Sequence, residues 1–208
     1  MATYTEKKEA VLNQYFRQYW PTIYSAIDLY NELVPKHNNG TLNVMQTMFL
    51  CSVIDHFGKI MRIGDIGSDL PLKSGQNAIN FKFFIEKYFP ADEKCKGDII
   101  YKLFRNGVMH QFFPKASGIF WSNDPAHKDK LLEDDNGVPR LNNFTFSNYI
   151  KKALDVIKDD LENDRLTSHI DNMYDHLIVN NYAFNDFADL QALQTEYAGR
   201  GKLLYDPC

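Results

Sequence analysis

"IIYKLFRNGVMHQFF", Ile99 to Phe113, is a run of apolar and aromatic residues interrupted by Lys102, Arg105, Asn106 and His110. Ile100, Leu103, Phe104, Gly107, Val108, Gln111 and Phe112 fall on one stripe at helical spacing. The run therefore reads as a helix from about Lys96 to Phe113, stopped by Pro114. Gly107 costs about 1 kcal/mol relative to alanine inside a helix, and a close helix–helix contact there would give it a purpose. Flanks this apolar predict a largely buried helix, and a buried helix carries arginine only when the charge is paired.

A partner for that charge lies upstream. "FLCSVIDHFGKIM" is a mostly apolar helical stretch with Asp55 in its middle. A carboxylate there calls for a cation, and two candidates exist. Arg105 serves if the two helices pack together. Lys59 serves as a surface i, i+4 pair. On the Arg105 helix, Asn106 and His110 are i, i+4 neighbours, and Lys102 is four residues before Asn106. These three make a polar ridge beside the apolar stripe. At about 100° per residue Arg105 stands about 140° from His110, at the ridge's edge. The plainer reading of the ridge is a solvated helix face.

The rest of the chain is also helical in period. "TEKKEAVLNQYFRQYW" reads as a first helix ended by Pro21, and "PTIYSAIDLYNELV" as a second, closed by Pro35 and "HNNG". Thr41 to about Ile63 is a third. "GDIGSDLPLKSG" is a loop, and Ser74 is the expected N-cap of "GQNAINFKFFIEKYF". Helical period is lost from Ser117 to Phe146, where Asn136-Gly137 signals a small β-hairpin. Ser147 is the expected cap of a long helix reaching Val179, kinked near Asn163. The expected fold is mainly α: a bundle of five to six long helices with a small β-hairpin insertion. One domain over 1–208 is expected, with a helical extension at 1–40, the insertion at about 117–146 and a tail at about 181–208.

Composition sets the broad class. Hydrophobic residues make up 44% and charged residues 24%, the balance of a soluble globular chain rather than a disordered one. No run of about 18 apolar residues occurs, so no membrane span is expected. The first residues carry charge where a signal peptide needs an apolar region. Three widely spaced cysteines give neither a disulfide framework nor a zinc pattern, which fits a reducing cytoplasm. The net charge of −4 argues against a protein that coats nucleic acid with its whole surface. Charge is uneven, however: Lys94 to Lys115 carries +4, while Asp155 to Arg165 carries −3. The Arg105 helix lies in the basic stretch.

Other chemistry-bearing patterns are weak. His169 and His176 lie about 10.5 Å apart along a helix axis, too far to share one metal ion. No metal or other cofactor is expected. No nucleophile elbow and no phosphate-binding glycine loop are present. Trp20 and Trp121 read as packing anchors, although "GIFW" beside the basic helix could line an RNA groove.

The order Arg105-Asn106-Gly107-Val108-Met109-His110, with its aromatic flanks and a preceding acidic helix, resembles the RN-x3-H signature of the HEPN superfamily (higher eukaryotes and prokaryotes nucleotide-binding domain). The resemblance extends over roughly 41–180. It implies an α-helical bundle, often a two-fold dimer with the motif helices face to face. It also implies RNA cleavage without metal in many members, often toxins or defence proteins with an antitoxin partner. Other members are inactive or bind nucleotides.

The residue types suit that chemistry. A 2′-hydroxyl attacking its neighbouring phosphate needs a base, an acid for the leaving 5′-oxygen, and positive charge at phosphorus. An imidazole can take or give a proton near neutral pH, so His110 is fit for either proton transfer. Arg105 is fit to grip the phosphate, and Asn106 to bond it or hold the imidazole. Asp55 would fix Arg105, and Lys102 adds charge. One histidine per chain is few for two proton transfers, and a dimer would bring two. The expectation is a homodimeric, metal-independent endoribonuclease. The alternative is a non-catalytic helical module in which the same residues serve dimerisation, nucleotide binding or protein interaction.

Overall fold

The computed structural model describes residues 2–37, 40–67, 76–112 and 114–179. The chain is mainly α-helical with one small sheet. α1 spans Tyr4–Leu12 and opens on a reciprocal capping box between Thr3 and Glu6. A π-helical segment, Asn13–Arg17, leads to a turn and then to α2, Trp20–His37. The single long helix expected up to Trp20 is thus two pieces. Pro35 does not end α2, which runs two residues further; in a last turn proline removes only one backbone bond.

α3, Gly40–Ile66, is the axis of the fold and packs against α2, α4 (Gln76–Tyr88), α6 (Asn106–Gln111), α7 (Asn143–Glu162) and α8 (Thr167–Met173). α3 and α4 approach closely at Gly58, where an added Cβ would lie 2.3 Å from the backbone oxygen of Asn80. Phe57, Phe81, Phe84, Phe104 and Phe146 are fully buried around this axis, so phenylalanine supplies much of the core. Ser74 and the tail from Asn180 lie outside the described residues.

The motif stretch is one continuous helical run of three pieces. α5 is Gly97–Ile99, a π-helical segment follows at Ile100–Arg105, and α6 is Asn106–Gln111. Phe112 then turns left-handed at φ 59° and ends the run, and Lys115 N–H donates back to the Leu103 carbonyl. That turn leaves Phe112 66% exposed, so neither it nor the exposed Gln111 joins the core stripe expected of them.

The insertion forms three strands in the order β1-β3-β2. β2, Leu132–Asp135, and β3, Val138–Asn142, make the expected hairpin, with Asn136 and Gly137 both at positive φ. β1, Gly118–Phe120, adds in parallel to β3, a strand the sequence reading did not include. The long helix after it is capped by Asn142, whose side chain accepts from Phe144 N–H, and not by Ser147. Ser147 lies buried inside α7 and bonds Asn31. The helix breaks near Asn163, where Asp164 takes φ 56°, and resumes as α8, Thr167–Met173, with a π-helical end at Tyr174–Val179.

Candidate functional site

The packing of α3 against the motif run brings Asp55 and Arg105 together. Arg105 Nε and one terminal nitrogen donate to Asp55 Oδ2 at 3.0 and 2.9 Å. The other terminal nitrogen donates to Asn106 Oδ1 at 3.2 Å. The guanidinium carbon lies 5.3 Å from the centre of the Tyr101 ring, four residues back on the same run. Arg105 is only 9% exposed. A charge this buried persists because carboxylate, amide and ring all address it.

Asp55 is less well served than its partner. Both bonds from Arg105 fall on Oδ2, and Oδ1 is buried without a partner among the described residues. Burial raises the pKa of the Asp55 carboxyl, and the Arg105 charge pulls the other way without cancelling it. Cys51, one turn before Asp55 and fully buried, has its thiol pushed far up by the same burial, which leaves it unreactive. His56, beside Asp55, points to a different environment. It packs against Tyr19 and Phe57, and burial lowers its pKa.

His110 lies on the exposed side of α6, four residues after Asn106. The 140° offset at about 100° per residue explains why Arg105 is inward where His110 is outward. Among the described residues no hydrogen bond joins His110 to Arg105 or Asn106. Lys102 is exposed, and its ammonium is 4.0 Å from Asp98. The site is therefore a chain of half-buried Asp55, buried Arg105 and half-buried Asn106, with an exposed histidine one turn further, and Lys102 stands apart from that chain. Lys59 is not part of it: the ion pair of Asp55 goes to Arg105.

Two features of this site escaped the sequence reading. The i, i+4 spacing of Tyr101 and Arg105 was a visible signal for the ring contact. The π-helical segment gave no signal, because its wider i→i+5 bonding is selected by tertiary packing. Elsewhere, His169 is held by Asp65 at 3.1 Å, with Lys87 on the same carboxylate oxygen at 2.8 Å. That cluster ties α8 to α3 and α4. Among the described residues no three His, Cys, Asp or Glu side chains converge as metal ligands would. None of the helices there is long and apolar enough to cross a membrane.

Comparison with protein-family models, curated proteins and solved structures yields no match to this chain.

Proposed function

We propose that the chain is a HEPN-like endoribonuclease that needs no metal and acts as a two-fold dimer in the cytoplasm, in a toxin or defence system that pairs it with an antitoxin. The observation that carries this reading is the Arg105 guanidinium fixed by Asp55 and joined to Asn106, with His110 exposed on the Asn106 face of α6. A fixed arginine costs no reorganisation when charge develops at phosphorus. In the proposed reaction His110 of one copy takes the proton of a 2′-hydroxyl. The 2′-oxygen attacks the adjacent phosphorus, and the P–O5′ bond breaks. His110 of the second copy protonates the departing 5′-oxygen. The products are a 2′,3′-cyclic phosphate end and a 5′-hydroxyl end.

A second reading has its own support. Nε and one terminal nitrogen of Arg105 are committed to Asp55, and the residue is nearly enclosed. An arginine so occupied suits a non-catalytic helical module, in which the pair is an internal brace and α6 a dimerisation, nucleotide-binding or protein-binding face.

The discriminating experiment incubates single-stranded RNA with the protein at neutral pH in EDTA. Cutting by wild type and not by His110→Ala, at equal thermal midpoints, supports the nuclease. RNA left intact by both is the result the second reading expects.

A further inference from the structure

A pocket of about 300 Å³ opens between the small sheet and the junction of α2 with α3. Its walls include Ile119, Phe120 and Trp121 from β1 and just after it, Arg140 from β3, and Asn43 from the first turns of α3. We infer that this pocket binds one nucleotide unit of single-stranded RNA, with its base against Trp121 and its phosphate on Arg140. This rests on the nuclease reading above and assigns a subsite to that substrate.

The sheet keeps Arg140 available for an anion. Arg140 lies opposite Gly118 on β1 and opposite Glu133 on β2. A Cβ at Gly118 would come within 3.0 Å of Arg140 Cγ, so the glycine lets the arginine stem lie across β1. The guanidinium then stands 4.8 Å from the Phe120 ring centre. Glu133, the nearest acid in register, is taken by His127 Nδ1 at 2.7 Å. Asp135 meets one terminal nitrogen of Arg140 at 3.2 Å, but both side chains are exposed, and such pairs exchange readily for a better anion. Nε and the other terminal nitrogen have no partner among the described residues. Two parallel donors suit a phosphate.

Trp121 supplies a fixed aromatic wall. Its indole N–H donates to Asn31 Oδ1 at 3.2 Å, and its ring meets Phe144 edge-on at 5.3 Å. A ring held in place stacks a base without losing rotamer freedom on binding. The volume stands at the lower end for ligand pockets, enough for one nucleotide.

The pocket also connects to the motif. It shares Gly40 with an apolar groove of about 390 Å³ lined by Val44, Met45, Met48 and Phe112. Phe112 follows His110 by two residues. Gly40 to Met48 spans roughly 12 Å of helix axis, so a strand lying at Phe112 reaches the Arg140 pocket across one short groove.

The test uses His110→Ala as the parent, so that RNA stays intact. Binding of a short, labelled single-stranded RNA is followed by anisotropy across a range of salt. Arg140→Gln is expected to weaken binding and to reduce the slope of log affinity against log salt by about 0.7. Trp121→Leu and Trp121→Phe both lose the bond to Asn31, so their difference reads the aromatic face alone. Trp121→Leu is expected to bind about five- to a hundredfold more weakly than Trp121→Phe. Parent and Arg140→Gln binding equally, or a parent that binds no RNA, overturns the subsite. Cleavage by wild type that Arg140→Gln leaves unchanged overturns the subsite and keeps the nuclease. Loss of binding in Arg140→Gln, with no cleavage by wild type, keeps the subsite and rejects the nuclease.

Discussion

Replacing Asp55 by alanine leaves the Arg105 guanidinium buried with, among the described residues, the Asn106 side-chain carbonyl and the Tyr101 ring as its remaining partners. Breaking a buried ion pair from one side costs about 3–5 kcal/mol. The Asp55 side chain is 22% exposed, so water reaches part of the vacated space. The lower end, about 3 kcal/mol, is therefore expected. For a chain of this length that loss lowers the thermal midpoint by about 6–12 °C. Urea unfolding at neutral pH, followed by far-ultraviolet circular dichroism, measures it as a shift in midpoint at constant slope. Arg105→Leu combined with Asp55→Leu removes both charges and fills the space, and is expected to fall within about 1 kcal/mol of wild type. Asp55→Ala unfolding within about 1 kcal/mol of wild type would refute the buried-pair argument. So would a double variant that is no more stable than Asp55→Ala, since the cost then would not come from an orphaned charge.

Two further outcomes test the surroundings of the site. Gly58→Ala is expected to destabilise by about 3 kcal/mol, because its Cβ would lie 2.3 Å from a backbone oxygen of α4 that cannot swing away; unchanged urea midpoints would contradict the packing of α3 on α4. Burial holds the pKa values of His56 and His169 below 6.5, so below that pH the unfolded chain binds protons that the folded chain refuses. Their stabilisation is present above pH 6.5 and is lost as pH falls through the depressed values. The raised Asp55 works in the opposite direction, favouring folding toward low pH, and only near the carboxylate range. The urea midpoint is expected to drop between about pH 7.5 and about pH 5.5, and His56→Phe to drop by less. Equal drops in the two proteins would show that His56 takes up its proton in the folded state.

The mainly helical fold was legible from apolar residues at helical spacing, and Arg105 as one of two candidate partners for Asp55 from charges embedded in apolar helical stretches. Asp55 and Arg105 each violate the pattern of their helix, and two such violations resolve each other only if the helices meet. The Asn136-Gly137 turn was legible because its backbone needs positive φ at two successive positions. The π-helical run before Arg105 was not, since no residue type selects it. Nor was the outward turn of Phe112, an aromatic residue in a conformation that usually belongs to glycine. β1 was hidden because three residues are too few for an alternation to register. The cap at Asn142 outcompeted Ser147 because the strand β3 delivers Asn142 in extended conformation directly into α7.

The proposed reaction is a His110-dependent cleavage at a 2′-hydroxyl. The direct measurement is the single-turnover rate on a defined RNA oligonucleotide in EDTA, beside the same oligonucleotide carrying a single 2′-deoxy sugar at the cut site. Wild type is expected to cut the all-RNA strand and leave a 2′,3′-cyclic phosphate. No cut is expected at the deoxy position, and none by His110→Ala on either strand. Cutting at the deoxy position, or His110→Ala cutting RNA as fast as wild type, would contradict it.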